Sequence, residues 1–169
     1  CSISAPVHPV VPGPRDADLV HQLVTGGSGF VGWHLARALR ARGERVTLLD
    51  LRPPPGPLEG AAFVQGDVRD RALLARVMEG VDVVQHNAAQ VPLTKDLTGF
   101  RSVNVEGTRA VMEAAAAAKV RHVVHMSSSA VYGLPERCPI DADTPLKPIE
   151  AYGEAKLEGE REALRADAR

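Results

Sequence analysis

Eight consecutive residues, Thr25-Gly26-Gly27-Ser28-Gly29-Phe30-Val31-Gly32, leave this chain few ways to fold. Before them runs an apolar, strand-like stretch, Leu19 to Thr25. After them, Phe30 to Arg42 carries Leu35, Ala38 and Leu39 at helical spacing, and Gly43 ends the pattern. Strand, glycine turn and helix open a parallel βαβ unit. Within the turn, Gly27 permits a tight bend, Gly29 lets a phosphate approach the backbone, and Gly32 lets helix and strand pack closely. The start of the helix then offers free N–H groups and partial positive charge to a pyrophosphate. Gly26, Gly29, Phe30, Val31 and Gly32 are the loop positions expected to meet a dinucleotide. A glycine turn that binds nothing is the plain alternative, and only the context argues against it.

That context continues along the chain. Arg45 to Asp50 reads as a second strand, and Pro53, Pro54, Pro55 and Pro57 then impose a loop. Ala62 to Asp67 reads as a third strand, and Arg69 to Met78 as a helix opened by Asp67 or Asp70. Val81 to His86 is the fourth strand. Phe100 to Ala118 reads as one long helix whose alanine run, Ala114 to Ala118, needs no explanation beyond helix propensity. Val120 to Met126 is the fifth strand, and a last helix begins at Ala151. Strands alternating with helices predict an α/β fold. The expected form is a doubly wound parallel sheet, the Rossmann arrangement, with spatial order 3-2-1-4-5 and helices on both faces. Residues 1–18, with Pro6, Pro9, Pro12 and Pro14, are expected to form an extended tail, so that 19–169 make one dinucleotide-binding domain.

Composition narrows the partners. The net charge of −1 gives no bulk attraction for nucleic acid or an acidic membrane surface. No apolar stretch is long enough to span a bilayer. The two cysteines, Cys1 and Cys138, form no CxxC or metal-ligand spacing, so neither a metal site nor a disulfide framework is expected. A reducing, cytoplasmic compartment is the simplest expectation.

Two further features point to chemistry. Asp50 ends the second strand, 18 residues beyond Gly32, where a carboxylate can accept hydrogen bonds from both adenosine-ribose hydroxyls and repel a 2′-phosphate. This favours NAD over NADP, although Arg52 stands two residues on and can blunt the preference. Tyr152 and Lys156 stand four apart in Tyr152-Gly153-Glu154-Ala155-Lys156, so on a helix they share one face. A phenol is a poor base at neutral pH, and a cation beside it favours the phenolate. The pair therefore suits general-base removal of a hydroxyl proton. Ser127, Ser128 and Ser129 end the fifth strand, where such sheets bind ligands; a hydroxyl there can hold the reacting oxygen, or the three serines can simply cap a turn.

These residues resemble the N-terminal part of an extended short-chain dehydrogenase/reductase of the NAD-dependent epimerase/dehydratase type. The match rests on six motifs in order: the glycine loop, Gly66-Asp67-Val68, His86-Asn87-Ala88-Ala89, Asn104-Val105-Glu106-Gly107-Thr108, Ser127-Ser128-Ser129-Ala130-Val131-Tyr132-Gly133, and Tyr152 to Lys156. The resemblance implies NAD as cofactor. It implies that Asp67 meets the adenine amino group with Val68 beside it, and that Ala88 and Ala89 pass along the nicotinamide ribose. It further implies that Asn104 braces the site, that Ser128 is the family's catalytic Ser/Thr, that Tyr152 is the base, and that Lys156 also holds the nicotinamide ribose. The blander readings are an N-capping Asp67, a packing alanine pair and a helix-stabilising Asn104.

Dehydratases of this kind usually carry an Asp-Glu pair directly after the catalytic Thr. Here Ser129 and Ala130 stand there, which disfavours dehydration and leaves a UDP-sugar 4-epimerase as the foremost expectation. A hydroxysteroid-type NAD(P)-dependent alcohol dehydrogenase is the alternative within the family, and a non-catalytic NAD-binding module or inert remnant the alternative outside it. The resemblance also implies a homodimer built on the long helix around Asn104 and the final helix. Only 13 residues follow Lys156, and the first residue is Cys rather than Met. The expectation is therefore a chain cut before the C-terminal region that grips the substrate, with the fifth strand left as a sheet edge.

Overall fold

The computed structural model describes residues 19–92 and 99–167. The proposed tail, 1–18, lies outside the described residues. Five parallel strands form one sheet: β1 (His21–Thr25), β2 (Arg45–Asp50), β3 (Ala61–Gln65), β4 (Val83–His86) and β5 (His122–His125). Their order is β3-β2-β1-β4-β5, as the alternation predicted. Register places Thr25 beside Leu49 on one side and His86 on the other. The C-terminal ends of the three central strands are thus level, and the loops above them meet.

The helices are α1 (Phe30–Ala41), α2 (Arg71–Val77), α3 (Gly99–Arg101), α4 (Thr108–Ala117) and α5 (Ala151–Asp167). Alternation along β1 sends Leu23 and Val24 to opposite faces. Leu23 joins Leu74, Met78, Val84 and Val111 in the core under α2 and α4. Val24 joins Val46, Leu48, Ala36 and Leu39 under α1. All five residues of β1 are buried, as the central strand of a doubly covered sheet must be. Of its three polar residues, only Gln22 shares the α1 face with Val24. There Gln85 donates to Gln22, and Gln22 in turn donates to the buried Glu44 at 2.6 Å.

One local alternative is settled and two expectations change. Asp70, not Asp67, caps α2 by accepting from the Leu73 amide at 3.0 Å. The predicted helix 100–118 is interrupted, because Ser102–Gly107 is a π-helical segment between α3 and α4. The Thr108 hydroxyl donates to the Asn104 carbonyl at 2.8 Å and competes for that helical acceptor, which accounts for the local widening. The left-handed residue of the glycine turn is Gly26 (φ +65°), not Gly27. Gly27 serves packing instead: a Cβ there would stand 2.8 Å from a Leu48 methyl.

The close approach of α1 to β1 sets the geometry of the whole ligand end. A Cβ on Gly32 would lie 2.2 Å from the Gly26 carbonyl oxygen, a contact with backbone that no rotamer relieves. Gly32→Ala should therefore destabilise the fold by about 1–3 kcal/mol, the range for forced overpacking. Chemical denaturation of the two proteins checks this, and an unchanged midpoint would refute the packing argument.

Candidate active site

The ligand end of the sheet is assembled from four pieces. The first is the glycine loop. Gly29 is the N-cap of α1 and offers no side chain, and no acidic residue lies in the first turn. The leading amides of α1 are thus directed at the loop with partial positive charge, and the first turn of the helix adds no negative side chain. Around Gly29 a Cβ would meet only the Gly26 carbonyl, at 3.3 Å, and would otherwise project into the approach. Phe30 and Val31 flank this cradle with exposed side chains. Such a cradle fits a pyrophosphate.

The second piece is the end of β2. Asp50 accepts the Ser28 amide at 3.0 Å and the Arg52 amide at 3.2 Å. The Ser28 hydroxyl donates to the Arg52 carbonyl at 2.7 Å. The Asp50 carboxylate is thereby oriented by backbone on both oxygens, with lone pairs to spare for further donors. Asp67, at the end of β3, is engaged differently. Arg69 donates to it from the backbone at 2.9 Å and from its guanidinium at 3.0 and 2.5 Å. These hydrogen bonds hold the Asp67 carboxyl below its ordinary range. Val68 next to it is buried in the core.

The third piece joins β1, β4 and the π segment. Thr25 Oγ1 contacts His86 Nδ1 at 2.7 Å and accepts the Ala88 amide at 3.3 Å. A Cβ on Gly26 would stand 2.8 Å from the Ala88 nitrogen, so the glycine turn rests directly on the strand β4 exit. Ala88 and Ala89 are half-buried there. Asn104 is buried, and both ends of its amide are used: Oδ1 accepts the Gln90 amide at 2.8 Å and Nδ2 donates to the Gln90 carbonyl at 3.0 Å. Asn104 thus acts on the segment after Ala89 from beneath.

The fourth piece is α5 and the end of β5. Lys156 is buried, and its Nζ donates to the Met126 carbonyl at 2.5 Å. Burial pushes its ammonium below the usual lysine range, opposed by Glu160. Ser128 Oγ accepts the Ala130 amide at 3.2 Å and caps a short 3-10 turn, Ser129–Tyr132. Capping occupies an acceptor and leaves the hydroxyl proton free to donate, so the capped-turn and functional readings of the serines coexist. Two glycines seat α5. A Cβ on Gly153 would be 2.6 Å from the Ala130 carbonyl, and one on Gly159 2.6 Å from the Asn104 carbonyl. Tyr152 is half-buried with its ring edge-on to Phe100, centroids 5.8 Å apart. The helix that carries Tyr152 and Lys156 is in this way pressed between the Ser128 turn and the Asn104 segment.

Sequence reading passed over the residues beneath these four pieces. Thr25, Thr108 and His86, all buried, form a polar layer under the site with the half-buried His125. His86 Nε2 contacts Thr108 Oγ1 at 3.0 Å, and the His86 and His125 rings lie 5.3 Å apart. Among the described residues, both His125 ring nitrogens and the Ser127 hydroxyl are buried without a hydrogen-bond partner. The available signal was polar residues at core-facing positions of otherwise apolar strands.

The comparisons with known proteins bear on this geometry. The profile of the NAD dependent epimerase/dehydratase family matches residues 22–169. The chain belongs to that family. It is 38% identical over 155 residues to a UDP-glucose 4-epimerase of Lactobacillus helveticus, covering 86% of this chain and 46% of that protein. It is 42% identical over 116 residues to sterol demethylase protein B of Methylococcus capsulatus, covering 66% of this chain and 35% of the other. Among solved structures, MoeE5 in complex with UDP-glucuronic acid and NAD superposes with a TM-score of 0.82 at 34% identity, covering 88% of this chain and 50% of that one. The chain spans less than half the length of the curated relatives it matches. Thr25, His86 and His125 stand at the carboxyl ends of β1, β4 and β5, the end at which open parallel sheets bind ligands. Among the described residues, no helix is long and apolar enough to cross a membrane.

The buried histidines make stability depend on pH. Burial lowers the His86 imidazole to about 3, with the charges of His125 and Lys156 adding to the effect. Burial and Lys156 lower that of His125 to about 4. An unfolded histidine takes up a proton below about 6.5, while these stay neutral in the fold. Their contribution is therefore complete above pH 6.5 and lost progressively as pH falls towards 3–4. For His86 the slope is up to about 1.4 kcal/mol per pH unit. Melting temperature should drop between pH 6.5 and 4, and His86→Asn should show a shallower drop. An equal slope in both proteins would contradict this.

Proposed function

We propose that the protein containing this chain is an NAD-dependent nucleotide-sugar epimerase, acting most specifically as a UDP-sugar 4-epimerase. The observation that carries the reading is the placing of α5. Gly153 seats this helix against the Ala130 carbonyl of the Ser128 turn, and the buried Lys156 is anchored to the Met126 carbonyl at the end of β5, which supports a role for Tyr152 and Lys156 at the ligand end of the sheet. The matched UDP-glucose 4-epimerase and the UDP-sugar complex of MoeE5 support the substrate class.

NAD suits the cradle: the pyrophosphate at Gly26, Gly29, Phe30, Val31 and Gly32, the adenosine ribose at Asp50, and the adenine beside Asp67 and Val68. Ala88 and Ala89 would flank the nicotinamide ribose, and Asn104 holds their loop through Gln90. The chemistry NAD supplies when bound is reversible hydride transfer. The chain's own residues manage the proton. Ser128 keeps its proton and orients the sugar oxygen by donating a hydrogen bond to it. Tyr152 accepts the proton leaving that oxygen and later returns it. Lys156 keeps a positive charge close to the phenolate, and its tie to Met126 stops it from swinging into solvent. An ammonium in a dry site acts more strongly on a neighbouring oxyanion than one in water.

Ser129 and Ala130 supply no acid–base pair for water elimination. This favours epimerisation, which needs only that the hydroxyl proton and the hydride of its carbon leave, that the resulting ketone turn over, and that both return. The 42% identity to sterol demethylase protein B favours a hydroxysteroid-type dehydrogenase as the second reading, since the same three side chains serve a simple alcohol oxidation.

The test uses the full natural polypeptide with NAD and either UDP-glucose or a 3-hydroxysteroid, products being resolved by chromatography. Formation of UDP-galactose without a net change in NADH is expected. Net NADH production from the steroid alone would replace the reading with the second one. Tyr152→Phe should lower kcat by about 10²–10⁴, the usual contribution of a positioned general base, while leaving NAD binding intact. Turnover unaffected by Tyr152→Phe would remove the mechanism.

A further inference from the structure

The Ser28 side chain does something the glycine motif does not require. Gly27, Gly29 and Gly32 need no particular residue between them. Yet Ser28 closes a ring of three hydrogen bonds with the end of β2. Its amide donates to Asp50 Oδ2 at 3.0 Å, the Arg52 amide donates to Asp50 Oδ1 at 3.2 Å, and the Ser28 hydroxyl donates to the Arg52 carbonyl at 2.7 Å. The first two orient the carboxylate. The third pins the peptide of Arg52 to the glycine loop. The Arg52 side chain is exposed, and its guanidinium has no hydrogen-bond or ion-pair partner among the described residues.

This matters for the cofactor's adenosine ribose. A carboxylate at Asp50 accepts from two vicinal hydroxyls and repels a 2′-phosphate. A guanidinium two residues on is a ready partner for that same phosphate, since its planar fork matches phosphate oxygens. The sequence therefore carries opposite preferences side by side, and the backbone between them decides which governs. We infer that Ser28 is a positioning residue for cofactor selection: its hydroxyl holds the Asp50–Arg52 turn so that the carboxylate meets the ribose hydroxyls and Arg52 stays off the 2′-position. The inference rests on the NAD reading of the cradle and deepens it.

The clamp is testable because the hydroxyl can be removed while every backbone donor stays. Titrations of NAD and NADP against the full natural polypeptide, followed by intrinsic fluorescence or calorimetry, give two dissociation constants that need no turnover. In wild type the constant for NADP should exceed that for NAD. Ser28→Ala should lower the ratio of the two roughly three- to tenfold, the worth of one neutral hydrogen bond felt in opposite directions by the two ligands. Ser28→Thr, which keeps the hydroxyl, should hold the ratio near wild type. In Ser28→Ala/Arg52→Ala the gain in NADP affinity should vanish, because the cation that the clamp restrains is gone. Melting curves of each variant separate these shifts from unfolding, and the Ser28→Thr comparison stands even where Ser28→Ala melts early. A ratio unchanged within twofold in Ser28→Ala, or an NADP gain that survives removal of Arg52, overturns the clamp. Wild-type protein that binds neither dinucleotide overturns the functional reading itself, a different result from either of those.

Discussion

The carbonyl of Gly26 accepts the Gly29 amide at 3.1 Å and lies where a Cβ on Gly32 would stand 2.2 Å away. That contact fixes how closely α1 follows β1. From it the rest of the ligand end takes its position. The Gly26 and Gly27 amides both reach the Leu49 carbonyl, tying the turn to β2. The Gly26 α-carbon leans on Ala88 and ties it to β4. Thr25 then links downward to His86 and upward to the Ala88 amide. A larger residue at Gly26 or Gly32 would separate the cradle from both neighbours, not merely strain one turn.

The far half of the site obeys the same rule of close contact with different means. Gly153 and Gly159 let α5 sit against two backbone carbonyls, those of Ala130 and Asn104. A buried ammonium costs free energy unless it is paired or hydrogen-bonded. Lys156 meets that need with the Met126 carbonyl, and the same bond places its charge at the end of β5. Below, His86 stays neutral between two threonine hydroxyls, and His125 lies against it without a partner. Placing uncharged imidazoles under a lysine avoids stacking two cations in a dry core. The consequence is a fold that loses stability as acid forces protons onto those rings.

Much of this was legible in the residues. The five strands, their order and the glycine turn followed from periodicity and from one motif in its setting. Asp70 capping α2 was one of two offered choices. The limits of legibility were local and physical. The role of Gly26 was hidden because two adjacent glycines look alike until one takes a positive φ. The π segment was hidden because helix periodicity carries no record of a threonine hydroxyl competing for a carbonyl four residues back. Asn104 reads as a site residue in sequence, and the structure shows both ends of its amide given to the Gln90 backbone. Asp67 likewise meets Arg69 before any ligand.

The order of elements, the glycine cradle, the acid at the end of β2 and the Tyr152–Lys156 spacing were set by sequence alone, since each depends on chain-local period or on residue type. Which groups lie within bonding distance of one another was decided only by the tertiary structure. The Ser28–Asp50–Arg52 ring, the threonine–histidine layer and the seating of α5 on two carbonyls join segments 22 to more than 60 residues apart. Local pattern cannot encode such contacts, because they arise from how twisted strands and their helices pack in three dimensions.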